Sequence, residues 1–339
     1  MTRNPPQDAV LIPPHEIGGG ARRFITDPSW DLPILSAMTI SQTTELRDSR
    51  PLLGDWQALR ARIAEEGYVF VRGLIDPAFI SAVGRNCLSS LQAAGWTEPA
   101  YDPVVAPPRP PVRAVRMRDA FGDPGYTQVY ADPGFNSVPM ATPVADLMAQ
   151  ILGPAGFCYP FRLPRIVYPT SIVPHQPGNF IHKDYRAVQD MFTCWVPLGR
   201  IPPTLGGLAI EPGSQRWARV GDRGFLQRLE PGWVTAEYEP GDVLVFHCLT
   251  THAALPNHAS HLRFSGEYRW QLADQPAPRR MVMGPGGRFE RHAHQFRGLP
   301  WWRPVPAGLQ LFDDRTDDTP TAGAILPAPP SRFVTFSNG

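Results

Sequence analysis

The sequence carries no excess of charge of either sign: 32 Lys+Arg stand against 31 Asp+Glu, a formal net charge of +1. A nucleic-acid backbone or an anionic membrane surface would find no basic field, so neither is expected as a partner. No apolar run approaches the ~18 residues of a membrane span, and the opening "MTRNPPQDAVLIPPHE" has no apolar stretch of signal-peptide length. Cysteine is scarce too. Cys87, Cys158, Cys194 and Cys248 form no CxxC pair, and three of the four lie in apolar runs. Such usage fits buried free thiols in a reducing compartment, and the cytoplasm is the expected location.

Proline, by contrast, is abundant: 41 of 339 residues, more than double the usual ~5%. Each proline removes a backbone donor and fixes φ, so long helices are disfavoured and short strands joined by loops are expected. With 42% hydrophobic residues the chain can still bury a core and enclose a pocket. Residues 1–50 are polar and Pro/Gly-rich, an expected extended arm. From Asp55, Trp56, Leu59 and Ile63 recur at helical spacing up to Gly67, and "YVFVRGL" (68–74) then reads as a strand. Asp76 and Pro77 start a second helix, with Ile80, Val83, Cys87, Leu88 and Leu91 as its apolar stripe. "PVVAPPRPPV" (103–112) is a loop. From about residue 157 short β-rich runs alternate with Gly/Pro turns, the pattern of a sandwich or barrel. The tail returns to loop, with "LPWWRP" (299–304) as an aromatic knot over the core.

The chemistry-bearing candidates begin with "NFIHKDYRAVQ" (179–189). Alternate residues of a strand share a face, so His182 and Asp184 can aim an imidazole and a carboxylate at one point. Alone this pattern is cheap. Downstream, "EPGDVLVFHCLTTHAALPNHASHLRFSGEYRW" (239–270) delivers His247 and His252, then His258, His261 and Arg263. Two histidines and a carboxylate on one face of a metal leave three positions open, the preference of non-haem Fe(II) oxygenases. Spacing does not choose between His247, inside an apolar strand, and His252, at its loop-facing end. His258 and His261 fall in a polar turn and read as solvated. His292 and His294 in "RHAH" have no cysteine nearby to complete a zinc site.

Together, His182-Lys183-Asp184, Trp195, "GGLAIEPGSQRW" (206–217), Gly241-Asp242, Phe246-His247, His252, Asn257 and Arg263 resemble the phytanoyl-CoA dioxygenase family of Fe(II)/2-oxoglutarate-dependent oxygenases. The resemblance spans roughly residues 55–95 and 160–270. It implies a mainly β fold with flanking helices around a double-stranded β-helix, a jelly-roll of cupin type. It also implies that His182, Asp184 and His252 are the catalytic metal ligands, with His247 a non-ligand neighbour. Arg263 would hold the far carboxylate of 2-oxoglutarate by a two-pronged contact. Gln128, Asn257 and Trp195 match weaker cofactor-binding positions. Two residues depart from the family pattern: Ala254 stands where a serine is common, and Lys183 where glutamine is common.

The implied cofactors are Fe(II), 2-oxoglutarate and O2, and the implied reaction oxidises, foremost hydroxylates, an unactivated carbon of a small natural-product intermediate. Desaturation, epoxidation and cyclisation use the same ligands, whereas halogenation is disfavoured by the carboxylate of Asp184. No basic cluster suits the phosphates of coenzyme A. The expected organisation is an arm (1–50), one oxygenase domain (51–305, β core about 157–272) and a loop-rich tail (306–339), as a monomer or homodimer. Substrate is expected among the N-terminal half and the loops around 100–140 and 280–305, where Tyr101, Tyr126, Tyr130, Trp301 and Trp302 are available. A non-redox cupin-like metal enzyme would not need Arg263 at that spacing, and an inactive binding protein would more typically have lost a ligand.

Overall fold

The computed structural model describes residues 44–110, 123–160, 162–176, 179–184, 190–216, 224–279, 282 and 305–312. The arm up to residue 43, His292, His294, Trp301, Trp302 and most of the tail lie outside the described residues. Helix α1 (Trp56–Glu66) starts where Asp55 accepts from the Ala58 N–H and ends at Gly67, whose φ of 82° is the left-handed conformation glycine adopts freely. Strand β1 (Tyr68–Val71) follows, then α2 (Pro77–Ala93), capped by Asp76 with Pro77 in its first turn. Both helices match the sequence expectation.

The region around 100–140 differs from the expected loops. Helices α3 (Pro124–Ala131), α4 (Pro133–Ser137) and α5 (Thr142–Leu152) occupy 124–152. Asp123 and Asp132 cap the first two, and each of the three has proline in its first turn. Brevity kept a stripe from standing out in α3 and α4, of 8 and 5 residues; α5, of 11, carries Val144, Leu147, Met148, Ile151 and Leu152 at helical spacing, a stripe that sequence reasoning missed.

The sheets come next: β2 (Gly156–Cys158), β3 (Leu163–Val167), β4 (Phe192–Pro197), β5 (Leu208–Ile210), β6 (Val243–His247), β7 (His252–Ala254) and β8 (Arg263–Leu272). A major sheet runs β1-β6-β4-β8-β2, with β3 also on β8, and every pairing in it is antiparallel. Opposite it, β5 pairs with β7, and single bridges add His182 beside His252 and Val234 beside Ile210. These are the two faces of a double-stranded β-helix. A short parallel pair, β9 (Ala277–Pro278) and β10 (Leu311–Phe312), lies apart.

The period of two along each strand separates two environments. On the outer face of the major sheet, Phe192, Cys194 and Val196 of β4 and Phe264, Tyr268 and Trp270 of β8 pack against the helices. On the inner face, Tyr68, Phe70, Leu244, Phe246 and Trp195 meet Leu208, Ile210 and Tyr238. Further across, β8 offers Arg263, Ser265, Glu267 and Arg269, all buried. The interior of the roll is thus apolar at its β1 and β6 end and strongly polar along β8.

Candidate metal centre

His182, Asp184 and His252 each offer a ligand atom, and the three atoms lie within 4.8 Å of one another. His182 Nε2 is 3.8 Å from Asp184 Oδ1, and the two imidazole centroids are 4.3 Å apart. The backbone brings them together: the His182 N–H donates to the His252 carbonyl at 3.0 Å and the reverse bond is 2.9 Å.

The tautomers follow from what each Nδ1 touches. His182 Nδ1 lies 2.6 Å from the Phe180 carbonyl, and His252 Nδ1 lies 3.0 Å from the Thr250 carbonyl. A carbonyl can only accept, so both Nδ1 atoms carry the proton and both Nε2 lone pairs are free to ligate. Burial, then the proximity of His252, pushes the His182 pKa down to about 3, so its ring is neutral near pH 7. Burial alone would raise the Asp184 carboxyl; Arg269, the two histidines and a hydrogen bond from Thr193 instead hold it well below the usual carboxylate range. Thr193 Oγ1 donates to Asp184 Oδ2 at 2.7 Å, and Arg269 Nη2 lies 3.4 Å from Oδ1. The donor set, two imidazole Nε2 atoms and an ionised carboxylate, fits a divalent iron.

His247 is a different case. Strand alternation points Phe246 inward, its ring 4.6 Å from that of His252, and turns His247 outward against Phe192. Its Nδ1 accepts from the Leu249 N–H at 3.2 Å, so its Nε2 carries the proton and faces Asp190 Oδ1 at 3.4 Å. Both ring nitrogens are engaged. Of the two histidines, His252 is the one grouped with His182 and Asp184.

Arg263 opens β8 on the same inner face. It is 2% exposed, and its Nη1 donates to the carbonyls of Gly206 at 2.5 Å and Gly207 at 3.3 Å, just before β5. Burial pushes its pKa down to about 10, so it stays cationic at neutral pH, with no carboxylate partner among the described residues. Its Nε, the Ser265 hydroxyl and the Trp195 indole N–H are likewise buried without partners among the described residues. Buried donors are rarely left unused, so these three together with the Arg263 charge fit a bound dicarboxylate such as 2-oxoglutarate.

The remaining expected positions divide. Trp195 reaches the inner face, its ring 4.8 Å from that of Tyr238. Asn257 is buried, but its carboxamide is taken up by the backbone: Nδ2 donates to the carbonyls of Val167 and His261, and Oδ1 accepts from the Ala259 N–H. It braces the loop between β7 and β8 and has no donor left for a cosubstrate. Gln128 is not brought to the centre; α3 buries Tyr126, Val129 and Tyr130 at helical spacing and leaves Gln128 on the exposed face. Tyr101 is fully exposed. Lys183 donates to the Ser214 carbonyl at 2.7 Å, away from the ligands, as a residue between two inward ones must. Sequence reasoning missed Thr193, Ser265, Glu267 and Arg269. The polar residues at every second position of "RFSGEYRWQL" were the available signal.

The family described as phytanoyl-CoA dioxygenase (PhyH) matches residues 63–265. A 1-deoxypentalenic acid 11-beta-hydroxylase of Streptomyces exfoliatus is 28% identical over 259 residues, covering 67% of this chain and 84% of the relative. The enzyme of the same name from Streptomyces arenae is 27% identical over 237 residues, covering 63% and 79%. Among solved structures, the non-heme alpha ketoglutarate dependent epimerase SnoN from nogalamycin biosynthesis is 18% identical, with a TM-score of 0.45 over 65% of this chain and 84% of that one.

Proposed function

The chain belongs to the phytanoyl-CoA dioxygenase family, and from that premise we propose that His182, Asp184 and His252 hold the Fe(II) of a 2-oxoglutarate-dependent oxygenase acting on a small natural-product intermediate. The observation that carries the reading is the convergence of two free Nε2 atoms and a carboxylate on one point, each held by its own second contact. When bound, the iron with 2-oxoglutarate and O2 supplies the oxidation of an unactivated C–H bond, the oxo acid leaving as succinate and CO2.

The chain itself does the rest. Arg263 anchors the far carboxylate of the cosubstrate, with Trp195 Nε1 and Ser265 Oγ as further donors. Ser265 thereby takes over from the hydroxyl absent at Ala254. Thr193 and Arg269 hold Asp184 ionised and oriented. Phe246 and Trp195 keep the inner face dry. Hydroxylation is the favoured outcome because the two curated relatives are named as hydroxylases, and their named substrate is a carboxylic acid. Four buried cysteines, none in a disulfide, suit a cytoplasmic enzyme, and among the described residues no helix is long and apolar enough to cross a membrane.

The test is anaerobic addition of Fe(II) and 2-oxoglutarate, read by the weak visible charge-transfer absorption. Wild type and His247→Ala should develop it, whereas His252→Ala should not. Retention in His252→Ala with loss in His247→Ala would sink the ligand assignment.

A further inference from the structure

One arginine of the inner face is only half engaged. Arg165 of β3 stands opposite Ser265 of β8 and shares its face. Its Nε donates to Glu267 Oε1 at 2.6 Å; Glu267 Oε2 lies 3.6 Å from Arg269 Nη2, and Arg269 in turn reaches Asp184. A chain of alternating charge therefore runs from Arg165 to the ligand carboxylate and fixes the guanidinium by one edge. Nη1 and Nη2 have no partner among the described residues, and the side chain is 23% exposed where that of Arg269 is 6%. The charge is felt at His182, Asp184 and Arg263, so it sits within electrostatic reach of both the metal ligands and the cosubstrate anchor. Aromatic side chains stand at both ends of this charge chain: Tyr126 is buried within reach of the Arg165 charge, and at the ligand end Phe180 is exposed with its ring 4.7 Å from that of His182.

We propose that the open edge of Arg165 receives a carboxylate of the substrate, making it a specificity-determining residue for an apolar molecule that bears one anionic group. A rigidly held guanidinium with two adjacent N–H groups free matches the two oxygens of a carboxylate. Anchoring Nε to Glu267 lowers the entropy lost on binding, because the fork is already oriented. Arg263, at the β5 side of the roll, remains available for the cosubstrate. The inference rests on the oxygenase reading above, and a carboxylate of 2-oxoglutarate is the other possible occupant.

The experiment uses the full chain loaded with Zn(II), a redox-inert stand-in, and 2-oxoglutarate. Alicyclic monocarboxylates, each paired with its primary alcohol (1-adamantanecarboxylate with 1-adamantanemethanol, cyclohexanecarboxylate with cyclohexanemethanol), are titrated by calorimetry. Wild type should favour the carboxylates by about ten-fold or more, the worth of one charge-assisted pair. Arg165→Gln should erase that preference while 2-oxoglutarate affinity stays within about two-fold of wild type, well under the ten-fold loss expected of a broken pair. The double variant Arg165→Gln/Glu267→Gln, which strands no buried carboxylate, should behave the same way. No carboxylate preference in wild type, or a preference that survives both variants, overturns the proposal. So does loss of 2-oxoglutarate binding in Arg165→Gln, which would assign the residue to the cosubstrate. Failure of the oxygenase reading shows separately, as wild type with Fe(II) and 2-oxoglutarate that develops no charge-transfer absorption.

Discussion

At the scale of single residues, hydrogen-bond direction separates the two histidines that spacing could not. His252 keeps its Nε2 free because a carbonyl faces Nδ1, while His247 has an N–H at Nδ1 and a carboxylate at Nε2. His247→Ala should leave iron affinity near wild type yet destabilise the fold by about 3 kcal/mol, since Asp190 would lose a partner in a site with no water access. Urea unfolding alongside metal titration checks both halves. For Arg263, replacement by lysine keeps a charge but loses the planar fork, so 2-oxoglutarate affinity should fall about ten-fold or more with iron binding unchanged. His182 and Asp184 were legible as a pair through strand alternation, whereas His252, over His247, and Arg263 were legible only through the resemblance to the family. Gln128 was misplaced because its segment offered no register, and helical spacing then turned it to solvent. Arg269 was hidden because its partner, Asp184, lies 85 residues away in sequence; Thr193, nine residues from Asp184, was hidden because nothing in its apolar strand marked it as a partner.

At the scale of elements, the two sheets communicate through backbone as much as through side chains. Gly206 has φ 69°, and a Cβ there would stand 2.2 Å from the Pro256 carbonyl oxygen. Its own carbonyl holds Arg263. Gly206→Ala must therefore shift either the strand carrying that carbonyl or the loop after β7, and 2-oxoglutarate affinity should drop while the metal ligands, placed by the His182–His252 bridge, still bind iron. Parallel titrations of metal and cosubstrate distinguish this from general unfolding. The sequence made α1, α2, β1, β3, β4, β5, β6 and β8 readable, because each sits in an apolar stripe or a β-rich run bounded by turns. Strands β7, β9 and β10, of 3, 2 and 2 residues, were too short to show, the last two in a tail that read as loop. The start signals Asp123-Pro124 and Asp132-Pro133 resemble Asp76-Pro77, yet the helices behind them have only 8 and 5 residues. Too few turns follow the cap for periodicity to reveal a helix.

At the scale of the whole molecule, the triad is a clasp between the faces of the roll. His182 and His252 belong to the smaller sheet, whereas Asp184 is tied to β4 through Thr193 and to β8 through Arg269. A metal that binds only this folded arrangement should raise the melting temperature, by about 2.7 kcal/mol of added stability at a hundred-fold excess over its dissociation constant. Acid should act in the opposite direction on the metal-free protein, and the sign follows from His182. Its folded pKa of about 3 lies below the ~6.5 of an unfolded histidine, so between those values the unfolded chain binds the extra proton. The stabilising contribution is complete above about pH 6.5 and is lost as pH falls toward 3; Asp184, also depressed, adds a loss only below about pH 4. From pH 6.5 to 5 the loss from His182 amounts to at most about 2 kcal/mol, one proton over that interval. His261, pushed down by burial, slopes the same way, so His182→Gln should flatten the decline without abolishing it. Melting curves of the two metal-free proteins at pH 7, 6 and 5 decide the matter: parallel declines would show that His182 is not held neutral by its surroundings.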